Sequence, residues 1–433
     1  MIRLTLKPGR EASVARRHPW LFSGGVASAA GDGADGHAEV VDAGGRLVAR
    51  GAYSPDSQIL ARLWTFDGRV PDGALFRERF AAARKLREEC LPPETTGYRA
   101  VNSEGDLCPG VLLDVYGDTA VLELTTRGTE IWRAELEAAV RDAFAPTHLI
   151  VRETGSSRDQ GGRPSPRPEN AALRATFPTA AGLPRWTGPA GRGGSVEPVE
   201  ARIPSPPGGG RGEGEGGGRI PFLESGLHFL ADISGGQKTG FFLDQRDNRA
   251  RLRALARGKS VLNLFSYSGA FSVAALAGGA ERCLDVDSSA GALDLAREHR
   301  RANGMPVSDV DFVQADVFED VRRRAAAGER WDVVVCDPPA FAKKKADVDR
   351  AARGYKDVNR VAMALVAPGG WLLTCSCSGL VDADLFQKIV FSASVDARVP
   401  FALVARQGAG PDHPVSLDCP EGEYLKGLWL RRA

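Results

Sequence analysis

The chain has 433 residues, with 56 basic and 55 acidic side chains and a formal net charge of +1; its summed field is weak, so any polyanion must be met by local patches. The start, MIRLTLKPGREASVARRHPW, carries early charges and no apolar core, which argues against a secretory signal and for a cytoplasmic protein without a membrane segment; the seven cysteines are scattered without CxxC spacing, which argues against a disulfide framework or a metal site. The 51 glycines exceed an average share of about 7 %, and the excess is local, since 16 of them fall with 11 prolines in the 67 residues from Gly155 to Pro221.

In chain order, short alternating runs broken by glycine (Ile2 to Leu6, Ala38 to Asp42, Arg46 to Tyr53, Gln58 to Phe66) predict a small β-barrel over 1–70. Before its second run stand Arg16, Arg17, His18, Pro19 and Trp20. Arg17 is placed to meet phosphate and Trp20 to stack on a base, although an indole there also serves to close a small core. Leu75, Phe76, Phe80, Ala83 and Leu86 share one helical face between Asp72 and Cys90. Two apolar strands around Gly117-Asp118 and a helix near Ile131 to Phe144 complete a small central α/β domain over 71–154. The stretch 155–221 has almost no periodicity and buries too little apolar surface to offset its ordering entropy, so it is expected to be a disordered insertion.

From 222 to 433 strands and helices alternate regularly, predicting an α/β domain with a doubly wound parallel sheet. Strands are expected at Val261 to Phe265, Arg282 to Asp287, Val310 to Gln314, Asp332 to Asp337 and Gly370 to Cys375. The first ends in a loop (Asn263, Leu264, Phe265, Ser266, Tyr267, Ser268, Gly269) that opens into an apolar helix, a place where a ligand can approach the backbone. Asp287, followed by Ser288, closes the second strand, where a carboxylate takes hydrogen bonds from ribose hydroxyls. Asp316 closes the third, within reach of an adenine amino group. Together these predict an adenosine cofactor.

The fourth strand runs into Asp337-Pro338-Pro339-Ala340-Phe341. The two prolines hold the carboxylate where a planar amine edge can lie, with Phe341 available to stack on the ring. The fifth strand runs into Cys375-Ser376-Cys377, whose cysteines are expected on opposite faces, so that at most one serves the site. A thiolate there can add to C6 of a pyrimidine and make C5 nucleophilic; the plainer role is apolar packing. Between Phe341 and Arg360 the charges sum to +4, with Lys343, Lys344, Lys345, Arg353 and Lys356 expected against RNA phosphate.

The segments GGQKTGFFLDQRDNR, LNLFSYSGAFSVAAL, DVDSS, QADVF, CDPPAFAK, RGYKDVNR, LLTCSCSG and PEGEYLKG together resemble the 23S ribosomal RNA cytosine-C5 methyltransferases that carry an N-terminal PUA domain. The resemblance covers nearly the whole chain outside the insertion. It implies a Rossmann-like class I methyltransferase domain, S-adenosylmethionine as cofactor, large-subunit ribosomal RNA as partner and, by family analogy, a homodimer. It also implies that Asn263 to Gly269, Asp287 and Asp316 hold the cofactor, that Gln245 closes over it, that Cys377 is the nucleophile and that Asp337 grips the cytosine. Two alternatives are an RNA methyltransferase acting on an exocyclic amine and a non-catalytic RNA-binding assembly factor.

Overall fold

A computed structural model of the protein describes residues 1–31, 36–152, 218–233, 240–342 and 344–433, which divide into two compact units. The expected insertion therefore lies outside the described residues, except at its end. Residues Arg219 to Pro221, expected to belong to it, instead open a strand.

In the first unit, strands β1 (Ile2–Leu6), β2 (Trp20–Phe22), β3 (Val26–Ala30), β4 (His37–Val41), β5 (Leu47–Tyr53) and β6 (Ile59–Thr65) form a sheet in the order β2-β6-β5-β4-β1-β3, with the short helix α1 (Ala12–Ala15) after β1. The two edge strands are consecutive and joined by the turn Ser23–Gly25, so the sheet must curl until its edges meet, as the barrel expectation requires. Its core is Leu4, Leu6, Val14, Leu21, Val40, Ala61 and Leu63. Helix α2 (Gly73–Cys90), capped by the Asp72 carboxylate, and helix α3 (Arg133–Phe144) accompany a second sheet, β10-β9-β8-β7. Its strands are β7 (Gly97–Asn102), β8 (Val111–Tyr116), β9 (Thr119–Leu124) and β10 (His148–Arg152), of which β7 and β10 give no clear sequence signal.

Trp64 of β6, Phe76 of α2 and Trp132 stack edge-on with ring centres 5.1 to 5.4 Å apart. Such pairs contribute about 0.5–1.5 kcal/mol each beyond their buried area, and they join the barrel and central sheet into one body. The segment Gly410–Glu423, expected in the C-terminal domain, also belongs to this unit. Arg87 and Asn102 donate to the Asp412 and Pro414 carbonyls, and the Arg99 N–H donates to the Asp412 carboxylate, at 2.8 to 3.0 Å.

The second unit begins with the hairpin β11 (Arg219–Glu224) and β12 (Leu227–Asp232), then helix α4 (Arg246–Leu255). A seven-stranded sheet follows, built from β13 (Ser260–Leu264), β14 (Arg282–Asp287), β15 (Phe312–Gln314), β16 (Trp331–Cys336), β17 (Val366–Ser376), β18 (Phe401–Gln407) and β19 (Lys426–Arg432), with helices α5 (Ala270–Ala277), α6 (Ala290–Ala302), α7 (Val317–Ala326), α8 (Val348–Leu365) and α9 (Ala383–Ala397). The order is β15-β14-β13-β16-β17-β19-β18, parallel through β17 and antiparallel across β19 and β18. The five expected strands are present; the antiparallel pair at the edge is the addition. Order reverses between β13 and β16, which places the crevice for a ligand at their carboxyl ends. Among the described residues no helix is long and apolar enough to cross a membrane.

Candidate active site

The loop after β13 is shaped by three left-handed residues, Phe265 (φ 56°), Tyr267 (φ 45°) and Gly269 (φ 67°). A Cβ at Gly269 would stand 2.7 Å from the Ala296 Cβ of α6, so the turn requires glycine. The Tyr267 N–H donates to the Asp287 carboxylate at 2.8 Å, and the Ser289 N–H donates to its other oxygen at 2.9 Å. Asp287 thus organises the ends of β13 and β14 with both oxygens at the crevice, and Ser288 lies exposed beside it. The Ser266 Oγ is buried with no hydrogen-bond partner. Such an orphan costs roughly 1–3 kcal/mol unless a ligand satisfies it, and a polar, glycine-cradled loop of this kind fits the sugar and amino-acid portions of S-adenosylmethionine.

Two expectations for this region are corrected. The Asn263 amide does not face the crevice. It is buried and donates to Asp285 at 2.8 Å, and Asp285 also receives Ser272 Oγ and the Arg300 guanidinium at 2.7 Å, a network that ties β13, α5 and α6 together. Gln245 does not have its amide available for a ligand: it donates to Asp337 at 2.9 Å and accepts from Asn248 at 2.7 Å, bracing the Asp337 loop. Its turn is anchored by a bidentate bond from Arg249 to Glu224 on the hairpin, both contacts at 2.6 Å.

Ser268 is buried, and its carbonyl accepts from His299 Nδ1 at 2.8 Å, while the Leu230 N–H donates to His299 Nε2 at 2.9 Å. One nitrogen donates and the other accepts, so the ring is neutral with its proton on Nδ1. Complete burial holds its pKa down to about 4. Asp316 is exposed and caps α7 through the Glu319 N–H at 3.1 Å. Phe265 lies 5.7 Å from Phe318, and Phe318 lies 5.9 Å from Phe341.

Parallel pairing sets Cys336 opposite Thr374, so Asp337 and Cys375 leave adjacent strand ends together. The two cysteines of the fifth motif do not separate by face, because residues i and i+2 of a strand share one; both pack against the cluster of Val333, Val335, Leu373 and Trp429. They separate by depth. Cys375 is wholly buried, and burial first, then the Asp337 charge, pushes its thiol well up. Cys336 is buried and pushed up likewise. Cys377, one residue past β17, is partly exposed. Pro338 is buried and Pro339 exposed, which fixes the turn after Asp337. The partly exposed Phe341 ring packs at 4.5 Å on Tyr355, whose hydroxyl burial pushes up to about 12, and also lines a cavity with Phe318 and Arg350.

The basic run is thinner than its sequence suggests. Lys356 is partly exposed and pairs with Asp396 of α9 at 2.8 Å, which offsets its charge. Lys344 and Arg353 are exposed, whereas Lys343 and the Lys345 side chain lie outside the described residues. In the first unit Arg17 is exposed and lines, with Arg46, Arg69 and Arg79, a cavity of about 580 Å³. Trp20 donates its indole N–H to Glu104 at 2.7 Å, a partly buried contact that takes up its polar edge. His299 and Lys426 were missed by sequence reasoning; a single lysine in the apolar strand LKGLWL was the one available signal.

A parallel sheet with an antiparallel edge, a glycine-turned loop after its first strand and acids at the next two strand ends define a class I S-adenosylmethionine-dependent methyltransferase. A model of the S-adenosylmethionine-dependent methyltransferase family matches residues 163–421, and a model of the PUA-like domain matches residues 4–66. The chain is 40 % identical over 432 residues to the ribosomal RNA large subunit methyltransferase I of Klebsiella pneumoniae subsp. pneumoniae, covering 99 % of this chain and 98 % of the relative. It is also 40 % identical over 438 residues to the enzyme of the same name from Shewanella denitrificans, covering 99 % of each. In fold it resembles SMU.776, a methyltransferase solved with SAH, with a TM-score of 0.75 and 21 % identity over 100 % of both chains. The protein belongs to the PUA-domain-containing S-adenosylmethionine-dependent methyltransferases, the family of those ribosomal RNA enzymes, and S-adenosylmethionine is its cofactor.

Proposed function

We propose that the protein methylates C5 of a cytosine in large-subunit ribosomal RNA, with Cys377 as nucleophile. The observation that carries this reading is the difference in depth at the end of β17: Cys375 and Cys336 are sealed with raised thiols, and Cys377 is the partly exposed cysteine beside the Asp337 loop. The ribosomal substrate is taken from the names of the full-length relatives. Ser266, Tyr267, Ser268 and Gly269 would hold the amino-acid end of the cofactor, Asp287 its ribose and Asp316 its adenine.

Bound there, S-adenosylmethionine supplies an electrophilic methyl on a sulfonium. The Cys377 thiolate forms a bond to C6 of the cytosine, and the C5–C6 π electrons become available at C5. Asp337, aligned by Gln245, accepts from the N4 amine to orient the base, and in its protonated form gives a proton to N3, which draws charge from the ring as sulfur adds. C5 would use that pair to bond the methyl as the methyl's bond to the sulfonium sulfur breaks; the C5 proton then passes to solvent, its electron pair re-forms the C5–C6 double bond, and the Cys377 thiolate leaves. Arg17 and its neighbours in the barrel, with Lys344 and Arg353 near the site, supply phosphate contacts.

The test is bisulfite sequencing of large-subunit RNA treated with wild-type protein and with Cys377→Ala. A new protected cytosine with wild-type and none with the variant supports the reading. Retained methylation by Cys377→Ala, or label on an exocyclic nitrogen, would overturn it.

A further inference from the structure

The motif EYLKG is outside the cofactor loop and the Asp337 turn, yet its residues reach both catalytic loops. Lys426 begins β19 and pairs in register with Ser376. Its side chain is buried, and Nζ donates to the Ser378 carbonyl at 2.6 Å and to the Tyr424 carbonyl at 2.7 Å. The Tyr424 hydroxyl donates to Asp244 at 2.6 Å, and Asp244 is followed by Gln245, whose amide holds Asp337.

Ser378 follows Cys377 directly, so the carbonyl that Lys426 grips sits one peptide beyond the nucleophile. The same residue's Oγ donates to the Ala342 carbonyl at 3.1 Å, at the end of the DPPAFA turn. On the other side of Cys377, Ser376 Oγ donates to the Tyr355 hydroxyl at 3.1 Å. The peptide carrying Cys377 is therefore held from both sides. Of these ties, only that of Lys426 has a formal positive charge. An ammonium is costly to bury, and hydrogen bonds from a charged donor to carbonyls are about twice as strong as neutral ones. A leucine or methionine would suit the apolar strand better if packing alone were required.

Resting on the reading of Cys377 as nucleophile, we propose that Lys426 is a positioning residue that clamps the Ser378 carbonyl, one peptide beyond Cys377, and so sets the sulfur against C6 of the target base. A misplacement of about 1 Å far from the reacting atoms can cost about a hundredfold in rate, and this residue lies much closer than that.

The experiment compares wild-type, Lys426→Gln, Lys426→Arg and Cys377→Ala as full-length proteins. The probe is a large-subunit ribosomal RNA transcript, made with cytidine for turnover and with 5-fluorocytidine for trapping the covalent adduct. Lys426→Gln is expected to lower kcat and the rate of adduct formation together by about a hundredfold, with S-adenosylmethionine affinity and RNA KM within threefold of wild-type. Lys426→Arg, which keeps the charge and the donors, is expected to recover at least tenfold of that loss. The inference is overturned if Lys426→Gln keeps kcat within threefold, if its cofactor affinity falls as far as its kcat, or if Lys426→Arg recovers nothing while melting like wild-type. If Lys426→Gln does not fold, Lys426→Met, which removes the charge and suits the apolar strand, decides: adduct formation slowed at least threefold with unchanged cofactor affinity supports the clamp, and wild-type adduct formation overturns it. Methylation surviving in Cys377→Ala marks the failure of the nucleophile reading itself, separately from these outcomes.

Discussion

Protonating His299 should unfold the cofactor loop from beneath. The ring is completely buried, its Nδ1–H is given to the Ser268 carbonyl, and its Nε2 accepts the Leu230 N–H. A second proton would have to displace the accepted Leu230 N–H and turn to the Leu230 carbonyl, 3.3 Å from Nε2; burial beside Phe229 and Phe241 outweighs that acceptor, and Arg219 and Arg249 add smaller repulsion. Burial accordingly lowers the pKa from 6.5 to about 4. At about 1.4 kcal/mol for each factor of ten in proton affinity, that gap corresponds to about 3.4 kcal/mol. The sign follows from which state binds the proton. Between pH 6.5 and 4 the unfolded chain is protonated at this position and the folded chain is not, so stability falls as pH drops through that window and is unaffected above it. About 2 kcal/mol should be gone by pH 5, a sizeable part of the 5–15 kcal/mol of a typical domain. The measurement is denaturant unfolding at several pH values, compared with His299→Gln, which can donate and accept but does not titrate. Subtracting the two cancels the carboxylates and His228, which is also lowered by burial. Hydrogen exchange of a peptide spanning Leu227–Asp232 reports the same event locally. If wild-type and His299→Gln lose stability in parallel from pH 7.5 to 5, the reasoning is refuted.

Gly269→Ala should weaken S-adenosylmethionine binding by at least tenfold in calorimetry, because the new Cβ meets Ala296 at 2.7 Å and the φ of 67° disfavours any side chain. Cys375→Ala should retain methyltransfer within a fewfold while lowering stability by about 1–2 kcal/mol, the loss expected for a small buried side chain; loss of activity in this variant would favour Cys375 as the nucleophile. Asp285→Ala should be among the most destabilising single changes in the second unit, at about 3–5 kcal/mol by denaturant titration, since it leaves the buried Arg300 guanidinium without the carboxylate it meets at 2.7 Å.

Most of the catalytic frame is legible in the chain because its signals are local. Alternation of apolar runs with helical periodicity marks β13 to β17, and the residues at their carboxyl ends, Asp287, Asp316, Asp337 and Cys377, follow directly from where each run stops. Strands β18 and β19 pair antiparallel at the far edge, and nothing in their own residues states that direction. The segment Gly410–Glu423 is similarly opaque: its partners Arg87, Arg99 and Asn102 lie more than three hundred residues away in sequence.

What the sequence determined by itself is which residue types stand at the strand ends, and with them the class of cofactor. Only the tertiary structure decided which of those side chains are spent internally. Asn263 and Gln245 look like ligand contacts by position, yet neighbouring strands and helices bring Asp285, Asp337 and Asn248 to their amides. The charge of Lys356, read from the sequence as free for phosphate, is offset by Asp396 of α9. A buried or partnered polar group is satisfied by whatever the fold brings within about 3 Å, and that distance is set by packing between elements remote in the chain. The same reason makes Lys426 and His299 visible only in three dimensions, since each acts through backbone carbonyls and amides that carry no mark in the sequence.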